Sequence, residues 1–295
     1  MTVDAARFAA PPDGRLSAAM AAAWDRDGFL LLEDFVPAAA CAGLIERTAQ
    51  LVASADLDGP ATIFSTTDHR HAAAAYFASS GDKIRFFFEA EAFDAAGRLR
   101  QERALSLNKI GHALHDLDPV FAAFSRTPAL AALAAGLGLA RPLLLQSMYI
   151  FKQPGIGGEV ACHTDATFLR TEPSSVIGLW FALQDATLEN GCLHALPGRH
   201  REPLRSHFRR TADGLRLETP DPRPWPVEEA VALPARRGTL IVLHGHLPHL
   251  SSANRSPRSR HAYTLHLIDG TARYAADNWL QRDPAMPLRG FDGAG

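Results

Sequence analysis

The chain has 295 residues, of which 47% are hydrophobic and 21% charged, with 30 Lys+Arg against 32 Asp+Glu, 13 His and 3 Cys. That length and mixture exclude a disulfide scaffold and a disordered chain, and the formal net charge of −2 excludes a nucleic-acid binder that works through bulk positive charge. Cys41, Cys162 and Cys192 are too widely spaced for a CxxC pair or a zinc knuckle, the first twenty residues lack the pattern of a secretory signal, and no run of 18 apolar residues occurs. A cytoplasmic protein with a small-molecule substrate, and neither nucleic acid nor membrane as partner, is therefore expected; the sequence carries no signal of oligomeric state.

Leu16, Met20, Ala23 and Trp24 recur at helical spacing, and Pro37 opens a second helical stretch, PAAACAGLIERTAQLVASA, at a position where proline is tolerated. Between them FLLLEDFV reads as a strand. A polar linker covers roughly 56–68, and YFASSGDKIRFFFEAEAF mixes turn signals with the aromatic block Phe86, Phe87 and Phe88. A further helix is expected over about 118–136, ending at the glycines of AAGLGL.

From Arg141 the texture changes to short β-type runs: LLLQSMYIFK, VIGLWFALQD, CLHAL, GTLIVLHG and HAYTLHLI. Helices first and strands later, without strand–helix alternation, argue against Rossmann and TIM architectures. They favour a mainly β sandwich or jelly roll carrying a helical flank. The expected organisation is a single domain over 1–295, with a mostly helical flank at 1–140, a β core at 141–270 and a lid or insertion loop at 199–237, rich in Pro and Arg.

The chemically loaded segment is His163-Thr164-Asp165. In a strand, residues two apart share a face, so an imidazole and a carboxylate can converge on one ion. Such a triplet is expected by chance about once in a chain of this kind. Its weight comes from a second cluster, His244-Gly245-His246-Leu247-Pro248-His249, at the end of GTLIVL. One distal histidine completes two His and one carboxylate, the facial triad that holds non-haem Fe(II) with positions left open. Residue spacing leaves the choice among His244, His246 and His249 open, and the surplus histidines are core or surface residues.

Arg260 opens the strand RHAYTLHLI, eleven positions after His249. A guanidinium there can grip the far carboxylate of a 2-oxo acid in a bidentate fork, with Ser251 adding a hydroxyl. The plainer alternative is a surface arginine in RSPRSRH. Arg199, Arg201, Arg205, Arg209 and Arg210 form a second basic run, where an acidic substrate group or the phosphates of a CoA ester could dock; a solvated loop is the plainer reading.

SSGDKIRFFFE, NKIGHALHDLDPVF, QSMYIFKQP with GGEV, HTDATFLRTEP, DATLENGCL with LPGRH, and HGHLPH through NRSPRSRHAYTLHL together resemble the phytanoyl-CoA dioxygenase family of Fe(II)/2-oxoglutarate oxygenases, most of all its phytanoyl-CoA dioxygenase domain-containing protein 1 group. The resemblance implies a cupin-like double-stranded β-helix, preceded and buttressed by N-terminal helices. It implies iron on His163, Asp165 and His249, 2-oxoglutarate on Arg260 and Ser251, and Lys109, Met148 and Trp180 around the cosubstrate. Thr164 stands where relatives commonly carry glutamine. His194 and His246 also depart from the family pattern and become candidates for tuning substrate choice. Because Asp165 is present where halogenating relatives have a small residue, the implied reaction is hydroxylation with O2, releasing succinate and CO2. The competing classes are a non-enzymatic metal- or small-molecule-binding jelly roll and a cupin-type metal-dependent isomerase or hydrolase.

Overall fold

The computed structural model describes residues 5–57, 63–64 and 75–291. After β1 (Arg7–Ala9), helix α1 (Ala18–Asp27) begins at Ser17, whose Oγ accepts from the Met20 N–H, and stops at Gly28, which takes φ 78°. β2 (Phe29–Glu33) follows at once, and α2 (Ala38–Ser54) starts after Pro37. The expected polar linker lies largely outside the described residues, which include β3 (Ile63–Phe64) within it.

After α3 (Ala75–Ala78), the aromatic block becomes β4 (Ile84–Glu89), and NKIGH becomes β5 (Leu107–His112). The single helix expected over 118–136 is divided: α4 (Leu114–Leu117) and α5 (Pro119–Ser125) precede α6 (Pro128–Gly136). The break falls at Thr127-Pro128, where Thr127 is extended and its side chain caps α6, since the residue before a proline is pushed out of the helical region. The remaining strands are β6 (Pro142–Ile150), β7 (Val160–His163), β8 (Thr171–Glu172), β9 (Ile177–Ala182), β10 (Leu193–Ala195), β11 (His207–Thr211), β12 (Gly214–Glu218), β13 (Val231–Leu233), β14 (Leu240–His244), β15 (His249–Ser251), β16 (Ala262–Asp269) and β17 (Arg273–Tyr274).

These strands form a large sheet, β1-β2-β14-β9-β16-β6-β5-β4-β3, and a small one, β13-β10-β15-β7. The inner faces meet through Trp180, Ala182, Ile241, Leu243 and Ala262 on one side and Leu193, Ala195 and Leu233 on the other. This is the expected double-stranded β-helix. The outer face of the large sheet, with Leu30, Leu32, Leu179, Phe181, Val242, Tyr263 and Leu265, is covered by Met20, Ala23, Leu44, Phe121, Leu130 and Leu133 of the helices. The first 140 residues are more than a helical flank, because β1 to β5 belong to the large sheet. Within 199–237 the chain folds into the hairpin β11–β12.

Candidate active site

Alternation along the central strands builds one wall of a cavity of about 590 Å³. Thr264 of β16 pairs with Met148 of β6 and Trp180 of β9, so all three side chains share the inner face. One step along, Ala262 pairs with Ile150, and Ile150 with Lys109 of β5; one step the other way, His266 pairs with Gly178. The expected Lys109, Met148, Thr164 and Trp180 all line this cavity, with His163, Asp165, His249, Ser251 and Arg260.

Register brings one of the three distal histidines beside His163. His249 of β15 lies directly opposite His163 of β7 in the antiparallel small sheet, their ring centroids 4.3 Å apart. Asp165 Oδ1 is 3.8 Å from each Nε2, and among the described residues His163, Asp165 and His249 form the one group whose ligand atoms all come within 4.8 Å of one another. His163 Nδ1 is 2.8 Å from the Ala161 carbonyl and His249 Nδ1 is 3.0 Å from the Leu247 carbonyl. A carbonyl only accepts, so both Nδ1 atoms donate, and in the neutral imidazole Nε2 is then the lone-pair nitrogen, turned toward the carboxylate. Burial, then the neighbouring His249, pulls His163 down to about 4, which keeps it neutral and able to bind a metal at neutral pH. Burial pushes the Asp165 carboxyl upward, but His266, His249 and His163 together outweigh it and hold the group well below the ordinary carboxylate range.

Asp165 also has a neighbour that sequence reasoning missed. His266 Nε2 is 3.3 Å from Oδ2, on the side away from the paired histidines, and the carboxylate fits only because residue 178 is glycine: a Cβ there would lie 2.7 Å from Oδ2. The signal available was the two-residue step from Thr264 to His266 on an inward-facing strand.

At the other end of the cavity Arg260 is only 1% exposed, and its Nε and Nη1 have no hydrogen-bond partner. Burial lowers it to about 10, so it remains cationic at neutral pH. Its Cζ lies 5.2 Å from the Trp180 ring centroid. A buried fork with two unmet donors is chemically suited to accept an anion. Ser251 is also buried, and its Oγ accepts from Lys152 Nζ at 2.9 Å. Lys109 is buried too, with Nζ 3.7 Å from Met148 Sδ and 5.5 Å from the Phe87 centroid, and burial pulls it well below the ordinary lysine range.

The remaining candidates are committed to other contacts or face away from the cavity. The Thr164 hydroxyl pairs with Thr167 Oγ1 at 2.9 Å. His244 packs against Trp24 and His200 at centroid distances of 5.7 and 5.1 Å. His246 Nε2 bonds Ser174 Oγ at 2.8 Å, and His194 alternates with the cavity-lining Leu193 and so points to the opposite face of β10. Neither His246 nor His194 is among the described residues that line the cavity, which removes them as direct determinants of substrate fit.

The basic run is also occupied. Arg199 pairs with Glu202 and Glu229, Arg209 with Glu218 and Asp277, and Arg205 with Glu202, while Arg201 and Arg210 donate to the Asp25 and Trp279 carbonyls. An anion-docking cluster on these five side chains would have to break those contacts, so the structure does not support one.

The phytanoyl-CoA dioxygenase family model matches residues 24–262. Phytanoyl-CoA dioxygenase 1 of Oryza sativa subsp. japonica is 45% identical over 280 residues, covering 94% of this chain and 99% of that protein. Phytanoyl-CoA dioxygenase domain-containing protein 1 of Mus musculus is 46% identical over 276 residues, covering 90% and 94%. Among solved structures, EctD from S. alaskensis with 2-oxoglutarate and 5-hydroxyectoine superposes with a TM-score of 0.61 at 22% identity over 90% of this chain and 80% of EctD. The non-heme alpha ketoglutarate dependent carbocyclase SnoK from nogalamycin biosynthesis gives 0.64 at 17% identity over 94% and 98%. These two likenesses show the shared fold. No helix among the described residues is long and apolar enough to cross a membrane.

Proposed function

The chain belongs to the phytanoyl-CoA dioxygenase family of Fe(II)- and 2-oxoglutarate-dependent oxygenases, and we propose that it hydroxylates an unactivated C–H of a small molecule of carboxylate or acyl type. The observation that carries this reading is the pairing of two bare imidazole Nε2 atoms with one Asp165 oxygen at one end of a cavity and a buried, unpartnered guanidinium at the other. When bound, Fe(II) with 2-oxoglutarate and O2 supplies oxidative decarboxylation to succinate and CO2 and the oxygen atom delivered to carbon.

The protein's contribution is placement. His163, Asp165 and His249 would hold the metal, at the end of the cavity where their ligand atoms come together. Arg260 takes the distal carboxylate of 2-oxoglutarate in its fork, and Ser251 adds a hydroxyl donor. Met148 and Trp180 wall the cosubstrate, and Lys109 places its side-chain nitrogen beside them. Thr164, with its hydroxyl committed to Thr167, offers no long polar arm there. Phe77, Phe168, Phe208, Leu217 and Trp279 give the rest of the cavity an apolar lining, which takes the substrate body and keeps water from the reacting carbon.

Anaerobic addition of 2-oxoglutarate to the Fe(II) protein is expected to produce a visible metal-to-ligand charge-transfer band. His163→Ala and Asp165→Ala are each expected to abolish succinate formation, and persistent turnover in either variant would overturn the site. Incubation with a metabolite extract, read by mass spectrometry for the gain of one oxygen, identifies the substrate.

A further inference from the structure

Lys152 follows β6 in the stretch FKQP, and three features set it apart. It is 2% exposed, it adopts φ 44°, and its Nζ donates both to the Gly158 carbonyl at 2.6 Å and to Ser251 Oγ at 2.9 Å. A left-handed backbone is unusual for a side chain of this kind and is retained where the surroundings demand it. Here the demand comes from both sides. A Cβ on Gly191 would lie 2.8 Å from Lys152 Cε, so that glycine leaves the space through which the lysine reaches β15. Asn254 Nδ2 in turn donates to the Lys152 carbonyl at 2.9 Å.

We propose that Lys152 is a positioning residue and second cation of the oxo-acid site, which aims the Ser251 hydroxyl proton at the carboxylate docked on Arg260 and so selects dicarboxylic over monocarboxylic 2-oxo acids. The proposal rests on the assignment of Arg260 as the docking group. Because an ammonium can only donate, the Ser251 oxygen must accept from it, and the serine's own proton is thereby turned away from Lys152 and is available to a ligand. The charges facing Lys152 are Arg260 before β16, Glu89 at the end of β4, Glu159 before β7 and Arg255 after β15. Glu89 is 1% exposed, accepts from the Gly158 N–H at 3.1 Å and has its other oxygen unpartnered. Arg260, Lys152 and Ser251 therefore gather donors at one end of the cavity, where a dicarboxylic oxo acid has a second carboxylate to place and a monocarboxylic one does not. Burial, followed by Arg260, draws Lys152 down to about 7, and an arriving carboxylate favours its charged form.

The test is anaerobic titration of the Fe(II) protein with 2-oxoglutarate and, separately, with 2-oxobutanoate, read from the charge-transfer band. Lys152→Met is expected to weaken 2-oxoglutarate by tenfold or more and to leave 2-oxobutanoate and Fe(II) affinity within twofold. The loss in the double variant with Ser251→Ala is expected to fall short of the product of the single losses. Equal weakening of both oxo acids would mean a merely structural lysine, and no change in either would also overturn the proposal. Should Lys152→Met fail to fold, wild type decides: the preference for 2-oxoglutarate is expected to decline from pH 7 to 9 as Lys152 loses its proton. Iron-ligand titration affects both acids alike and cancels in the ratio, so a flat ratio overturns the proposal. Arg260→Met separates the two readings. If that variant binds 2-oxoglutarate normally the docking assignment itself fails, whereas if it loses binding while Lys152→Met does not, the fault lies with the lysine alone.

Discussion

Asp165 has little room to move. Oδ1 faces His163 and His249, Oδ2 faces His266, and the inner face of β9 is bare at Gly178 so that the carboxylate can lie against it. Gly178 is not in the left-handed region, so alanine there meets a contact problem rather than a backbone one. Gly178→Ala is expected to push Oδ2 off its seat and reduce Fe(II) affinity by about 10–100-fold, the size of effect that outer contacts of metal ligands usually have. Competition against a chelator measures it, and an unchanged affinity would show that the carboxylate is free to shift. His163 and Asp165 could be singled out together in the sequence because an extended Thr164 between them turns both side chains to one side, although the strand itself ends at His163 and Asp165 opens a short 3-10 turn. The choice of His249 over His244 was not settled by spacing, since it depends on which histidine ends up opposite His163 across a sheet. Lys152, in QSMYIFKQP, carried no mark of burial, because a lysine in a β-type run ordinarily extends its charge into water.

Short elements depend on their ends. Asp118 caps α5 by accepting from the Val120 and Phe121 N–H groups at 3.1 and 3.2 Å, while its other oxygen takes Arg47 Nε of α2 at 2.7 Å. The carboxylate is 2% exposed and joins two helices that cover the outer face of the large sheet. Asp118→Ala is expected to cost roughly 2–4 kcal/mol, combining a lost cap with a strained partner for Arg47. Denaturant unfolding reads the loss, and 2-oxoglutarate affinity should remain unchanged because the cap faces away from the cavity. At this scale the sequence was readable where apolar runs were long, as in β6, β9, β14 and β16. It was opaque at β5, where Asn, Lys, Gly and His interrupt the pattern, and at β4, whose ladder to β5 shifts register between Phe87 and Phe88. The arginines at 199–210 were opaque for a different reason. Glu229, Asp277 and the Trp279 carbonyl lie 30 to 69 residues away in sequence, so local composition shows the cations without the partners that neutralise them.

Across the molecule, histidine burial links the fold to pH. His115 is enclosed by Ser147, Asp116 and Arg282, His261 sits against the Tyr149 hydroxyl at 2.8 Å, and His244 lies in the cluster with Trp24 and His200. Burial is the largest cause in each case, and it lowers all three from 6.5 to about 4. The unfolded chain therefore binds more protons than the folded one between about 6.5 and 4. Stability in that window rises with pH, so it is lost as pH falls, while above about 6.5 these groups contribute no slope. Each histidine withdraws on the order of 1–3 kcal/mol by the lower end of the window. Because His115 joins α4 to β6, His244 packs from β14 onto Trp24 of α1 and His261 bonds Tyr149 of β6, protonation acts at separate places on the β-helix rather than on one loop. The metal-free protein is expected to show a nearly constant Tm from pH 8 to 7 and a progressive fall from about 6.5 toward 4.5, followed by calorimetry. His261→Gln, which keeps a polar partner for Tyr149 but cannot be protonated, is expected to reduce the slope. A Tm that stays flat to pH 4.5 would mean that the fold accommodates the charged imidazoles, and a slope unchanged in His261→Gln would assign the acid sensitivity to the other buried histidines.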